Sequence, residues 1–176
     1  MGDDETGTAK ARLRLLRQEF TTPRAHRDPG PRTAPTSRPP ADLGIIDHMA
    51  AAVREVIDHT RAVAPTAGPA PTDAAVYDWM QEHTAHLGAE QQTARDAMVI
   101  RHSFEHALAA GDADIIRWET CPRCACWGLF WQTPTTRAAC ANSKCVDAKG
   151  RPSVWTLAQL AEHRAAAQTA RSRTAT

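Results

Sequence analysis

Residues 121–145, CPRCACWGLFWQTPTTRAACANSKC, hold all five cysteines of the 176-residue chain. Cys121 and Cys124 form a C-x2-C pair, Cys140 and Cys145 form a C-x4-C pair, and fifteen residues separate the two. Two thiol pairs joined by a hairpin-length segment have the spacing of a tetrahedral four-cysteine site, which predicts one Zn2+ per chain. One tight turn brings two sulfurs to one side of the metal, and a second turn on a returning strand closes the tetrahedron. Cys126 is a fifth thiol, so the ligand set is ambiguous at one corner, where Cys124 and Cys126 compete. An iron or iron–sulfur centre is one alternative, and a disulfide or a redox thiol pair is another. The disulfide reading is weak because nothing else in the chain points to an oxidising compartment.

The residues between the pairs agree with this reading. Trp127 to Gln132 reads as a strand with Trp127, Leu129 and Trp131 on one face and Phe130 on the other. Thr133-Pro134-Thr135-Thr136 is a turn, and Arg137 to Cys140 is the return strand. The pattern resembles a zinc ribbon over Trp118 to Trp155. It departs from that pattern in having Ala125 where a glycine usually follows the first knuckle. The four residues inside the second pair predict a wider loop there. Cys121-Pro122-Arg123-Cys124, Gly128-Leu129-Phe130-Trp131, Arg137-Ala138-Ala139-Cys140-Ala141-Asn142-Ser143-Lys144-Cys145 and Trp155-Thr156-Leu157-Ala158-Gln159-Leu160-Ala161 together resemble actinobacterial and actinophage zinc-ribbon proteins. That resemblance covers the last third of the chain. It implies a helical N-terminal part ahead of the ribbon and supplies no catalytic activity.

Outward from the cysteines, four of the five tryptophans (Trp118, Trp127, Trp131 and Trp155) fall in or beside this stretch. A module too small for an ordinary core needs a metal and a few large side chains, so these are read as its interior. Ile115 to Trp118 is read as a first strand and Val154-Trp155 as a last one. Phe130 is the ring expected to face solvent, where stacking on a nucleobase is open to it. Thr156 and Gln159 match a capping box that opens a helix from Leu157 to about Gln168, presenting Arg164, Arg171 and Arg173 before a frayed tail.

Toward the N-terminus the period is helical. Leu13, Leu16 and Phe20 share a face over residues 8–20. Leu43, Ile46, Met49, Val53, Val56 and Ile57 mark a helix over 43–63, with Asp42 as its cap. Two further helices follow: one capped by Thr72 or Asp73 and stopped at Gly88, the other running from Ala89 to Ala110 and stopped by Gly111. Residues 21–42 hold six prolines and four arginines and read as a disordered linker. The expected fold is therefore mainly α with a small β zinc module, a helical bundle followed by a C-terminal zinc ribbon and a terminal helix. The divisions are a short helix at 1–20, the linker at 21–42, an acidic bundle at 43–111, the ribbon at 112–155 and a terminal helix and tail at 156–176.

Charge bears on function. Residues 48–116 carry 4 Lys/Arg against 10 Asp/Glu, and residues 117–176 carry 9 against 3. An acidic middle and a basic end favour a nucleic-acid partner for the end. Arg123, Arg137, Lys144, Lys149 and Arg151 are the candidate phosphate contacts. The alternative is a protein-interaction adaptor whose acidic bundle holds the partner while the zinc is purely structural. A third reading is a metal or redox sensor with Cys126 as its labile thiol. Arginine outnumbers lysine 18 to 3, the codon bias of a GC-rich genome. No apolar run nears the ~20 residues that span a bilayer, and the acidic N-terminus lacks a leader's apolar region, so a cytoplasmic location is expected. No membrane partner, small-molecule substrate or catalytic residue is expected. His102-Ser103-Phe104-Glu105-His106 spells H-x-x-E-H, but with no acidic third ligand downstream its histidines are read as lying on the polar side of their helix, solvated or at the edge of the bundle. His83 and His86 are read as helix C-terminal residues facing the dipole.

Overall fold

The computed structural model describes residues 4–21 and 43–174. The expected linker and the Asp42 cap lie outside them. Among the described residues there are five α-helices: α1 (Asp4–Thr21), α2 (Leu43–Val63), α3 (Val76–Thr84), α4 (Ala89–Ala109) and α5 (Leu157–Thr174). A three-stranded antiparallel sheet of β1 (Leu129–Gln132), β2 (Arg137–Cys140) and β3 (Val154–Trp155) has β2 at its centre. No helix among the described residues is long and apolar enough to cross a membrane.

Two hydrophobic cores meet at α4. The first joins Leu13 and Leu16 of α1, Met49 and Val56 of α2, and Tyr77 and Met80 of α3, and is closed by Met98 and Val99 of α4. The second takes the next residues of α4, Ile100 and Phe104, and packs them on Ile116, Leu129, Leu160 and three of the cysteines. Consecutive residues on a helix point about 100° apart, so Val99 and Ile100 face different neighbours. α4 is thus buried along both flanks, and the bundle and the cysteine sheet share one wall. Arg164 of α5 ties the junction further. Its guanidinium donates to Glu5 of α1 and to Glu119 just ahead of the sheet. The sequence reading presented Arg164 outward; the structure turns it inward onto two carboxylates.

The ends of α5 show what local chemistry and packing each contribute. Thr156 N–H donates to Gln159 Oε1 at 2.9 Å while Gln159 N–H donates to Thr156 Oγ1 at 3.2 Å, a reciprocal capping box as expected. At the other end the helix runs to Thr174 rather than stopping near Gln168. Ala165 is buried, and Thr169 meets Thr93 of α4 at 3.0 Å, so α4 supports the turns expected to fray. Gly111 ends α4 at φ +85°, as its freedom from a Cβ allows. Gly88, in contrast, sits at φ −63° and ψ 159° and is the N-cap of α4, not a left-handed stop for α3.

The bundle encloses a polar chain that amphipathicity alone does not predict. His102 and His106, expected in solvent or at the bundle edge, are both fully buried. Glu55 of α2 accepts from His102 Nε2 at 3.1 Å. The Tyr77 hydroxyl of α3 lies 3.0 Å from both His102 Nδ1 and His106 Nε2, and His106 Nδ1 lies 2.9 Å from His48 Nε2. Tyr77 donates to whichever of its two ring nitrogens lacks a proton and accepts from the other, so the ring nitrogens of His102 and His106 are all matched. The reason for burial is this shared hydroxyl, which gives both rings a partner away from water. Glu105 is instead ion-paired with Arg101 at 2.8 Å, so the H-x-x-E-H motif does not assemble as a site. His83 makes an edge contact with Trp79, 5.3 Å between ring centres.

Burial, with His102 and His48 nearby, holds His106 down to about 3 from its ordinary 6.5. A histidine kept neutral in the fold stabilises it fully above the unfolded value. That contribution is lost as the pH falls from about 6.5 toward 3, at no more than ~1.4 kcal/mol per pH unit. Other groups titrate in the same range, so the comparison is wild type against His106→Gln, which shares that background. The stability gap between the two, from urea unfolding at several pH values, should be widest above pH 6.5 and shrink below it. Tyr77→Phe leaves a donor or an acceptor unmatched on each ring and should cost about 1–3 kcal/mol at pH 7 by the same assay.

Candidate metal centre

Cys121, Cys124, Cys140 and Cys145 converge, with all four sulfurs within 4.8 Å of one another. Cys121 Sγ lies 3.7 Å from Cys145 Sγ, and Cys124 Sγ lies 3.7 Å from Cys140 Sγ. These separations are far beyond the ~2.05 Å of a disulfide. Cys121, Cys140 and Cys145 are buried and Cys124 is half-buried, so the site opens to water on one side only. The four thiols could hold a metal ion. Cys126 stands outside the cluster, exposed, with its sulfur 3.8 Å from the side-chain amide of Asn142.

Each pair is held by its own turn. In the first, Ala125 N–H donates to Cys121 O at 2.8 Å and Cys121 N–H to Cys126 O at 3.0 Å. In the second, Asn142 does the work of a tight knuckle. Its side-chain oxygen accepts from Lys144 N–H at 3.0 Å, and its carbonyl accepts from Cys145 N–H at 2.9 Å. The wider loop predicted for C-x4-C is an Asx turn. Backbone N–H groups also reach the sulfurs. The N–H of Cys126 is the main cause that lowers the Cys124 thiol to about 6. Burial pushes Cys140 up to about 12 despite an N–H from Asn142. An amide two residues beyond a ligand sulfur thus appears in both turns, and such donors favour thiolate over thiol.

The sheet sets which side chains face this cluster. Leu129 pairs with Cys140, and Trp131 with Ala138, which in turn pairs with Trp155, so these share the inner face. Phe130 and Val154 flank Ala139 on the outer face and are 44% and 42% exposed. Phe130 therefore lies where strand alternation puts it. Trp118 and Trp127 do not. Both were expected inside, yet they are 72% and 68% exposed. Asp114–Trp118 is a 3₁₀ turn, not a strand. At three residues per turn Ile116 and Trp118 point 120° apart, so one is buried and the other is not. Gly128 at φ +104° turns the chain between Trp127 and Leu129, so the alternation begins only after Trp127.

The five basic residues separate into two groups. Arg123 donates to Val146 O and laces the first knuckle to the loop after the second. Arg151 pairs with Asp147 at 2.8 Å, and Asp147 Oδ1 also accepts the N–H groups of Lys149 and Arg151. Arg137, Lys144 and Lys149 are exposed and form no ion pair among the described residues. Lys144 and Lys149 lie in the loops around Cys145. Arg137 is opposite Gln132 at the far end of the hairpin, so the structure does not bring all five to one point. No protein-family profile, curated protein or solved structure matches the chain.

Ala125 itself carries a testable consequence. It sits at φ +56°, where a side chain is disfavoured by about 1–2 kcal/mol. Ala125→Gly should hold or raise the melting temperature, and Ala125→Val should lower it by several degrees, as measured by circular dichroism. Cys126→Ser should leave the metal content unchanged, whereas Cys121→Ser and Cys140→Ser should each reduce it.

Proposed function

We propose that this chain is a non-enzymatic, zinc-ribbon-type protein that contacts DNA or RNA through its basic C-terminal third. The observation that carries the proposal is the spacing of the four sulfurs. A Zn–S bond of about 2.3 Å in a tetrahedron sets neighbouring sulfurs about 3.8 Å apart, and two of the pairs stand at 3.7 Å. Cys121, Cys124, Cys140 and Cys145 would hold the ion, with Cys126 outside the set. Four protein ligands leave no position for a reacting water, so such a centre stabilises and does not hydrolyse. The bound ion would supply the folding free energy that strands of four, four and two residues lack.

The surface around that centre supports the partner. Four thiolates and one Zn2+ bring about two negative charges, yet the segment from residue 117 onward still keeps an excess of basic residues. Arg137, Lys144 and Lys149 pair with no carboxylate among the described residues, which leaves them to phosphate. A protein-adaptor reading draws on a different feature, an apolar groove of roughly 330 Å³ between α1 and α2 lined by Leu13, Ile46, Met49, Val53 and Ile57.

The deciding test combines metal analysis with binding to duplex DNA, single-stranded DNA and RNA across a salt series. One zinc per chain is expected. Three phosphate contacts predict a log–log salt slope of about −2 to −3. Lys144→Glu with Lys149→Glu should weaken binding to every sequence alike. Flat salt dependence, or no binding at low salt, would overturn the nucleic-acid reading and favour the groove on the bundle.

A further inference from the structure

We infer that the cleft between the 3₁₀ turn, the cysteine sheet and α5 is a seat for unpaired nucleobases, with Trp118 and Trp127 as its stacking faces. The inference rests on the nucleic-acid reading above and names both the place and the strandedness. Two depressions meet here. Trp118 and Trp127 line both of them, so the two indoles form the ridge between. Asp114, Arg117 and Gly128 border one side. Glu119, Thr120, His163 and Arg171 border the other.

Exposure on this scale sets these two apart from the other tryptophans of the chain. Fully burying one large apolar side chain is worth about 1.5–3 kcal/mol. The chain buries Trp79 and partly buries Trp131 and Trp155. Trp118 and Trp127 forgo that gain while sitting on fixed backbone. Ile116 is fully buried two residues before Trp118, and Thr120 bridges to Trp127 across the first knuckle. The backbone beneath both rings is therefore anchored before any partner arrives, which lowers the ordering cost of binding to that of the two side chains.

The rim of the cleft selects the occupant. Its acids are already matched, Asp114 by Arg117 at 3.3 Å and Glu119 by Arg164. Arg171 remains without a carboxylate partner among the described residues, and from His163 onward the chain has no Asp or Glu at all. Beyond the two indoles the wider depression is lined by Ile115 and by side chains that are small, polar or charged (Thr120, Arg164, Ala167, Gln168 and Ala170), so its large flat apolar faces are the two indoles themselves. Flat π faces with a polar, net-positive rim fit a base, which has an apolar face, polar edges and a phosphate beside it. A duplex hides those faces in its own stack, so the fit is to single strands.

The test measures the affinity of the zinc-loaded full chain for fluorescein-labelled oligo(dT) and for a duplex of equal length. Wild type, Trp118→Ala, Trp127→Ala and the double variant Lys144→Glu/Lys149→Glu are compared, with zinc content and far-UV dichroism confirming that each is folded. Tighter binding to oligo(dT) than to duplex is expected. Each tryptophan replacement should lower oligo(dT) affinity about 5- to 150-fold, the range for loss of one stacked base. Phenylalanine at either position should restore part of it. Nucleic-acid binding that ignores both tryptophans but falls with the lysine reversals would overturn the cleft and leave the broader reading intact. Absence of binding to either probe would overturn both.

Discussion

Four sulfur atoms drawn within 4.8 Å of one another set the terms for the C-terminal half of the chain. Such a cluster cannot hold four bare thiolates, because like charges at this distance repel strongly in a poorly solvated site. Either the thiols stay protonated, as burial urges at Cys140, or a cation takes up the charge. The strands carry four, four and two residues, and a sheet of that size is marginal alone. The cysteines also serve as core. Cys121, Cys140 and Cys145 pack with Leu129, Ile116 and Leu160, so one cluster supplies both candidate metal ligands and apolar contact.

The second constraint is the shared wall. α4 gives Met98 and Val99 to the bundle, then Ile100 and Phe104 to the cysteine core. A change that shifts α4 is felt on both sides, and the polar chain from Glu55 to His48 lies along that same helix. Arg164 adds a polar lock between α1, the approach to the sheet and α5. Glu119 is largely buried and its carboxyl is raised by that burial, so its arginine partner is what lets it sit there. Removing one member of a buried set of this kind leaves the other exposed to the full desolvation penalty.

What was legible in the sequence was local. The cysteine spacing, the Leu129–Trp131 alternation, the Thr156–Gln159 box and the stop at Gly111 each depend on residues a few positions apart. What was not legible depends on distant partners or on a change of period. His102 and His106 are buried because Tyr77, 25 residues before His102, offers one hydroxyl to both. Arg164 turns inward because Glu5, 159 residues away, waits at the start of α1. Trp118 and Trp127 escape the interior because a 3₁₀ turn and a left-handed glycine each interrupt a two-residue alternation. A pattern matched at period two has no means of registering either break.

On the proposed reading, the same breaks connect stability to recognition. Trp127 follows Cys126 directly, three residues after Cys124, and Thr120, its bridging partner, precedes Cys121. The backbone that presents the indole is therefore the backbone that forms the first knuckle. If that knuckle is held shut by a metal, the position of Trp127 is fixed by coordination rather than by packing of its own ring. A ring left in water on a scaffold locked from behind is free to meet a partner without losing any fold-stabilising contact. The energy that orders the surface then comes from the buried sulfurs, and the surface itself is left to chemistry outside the chain.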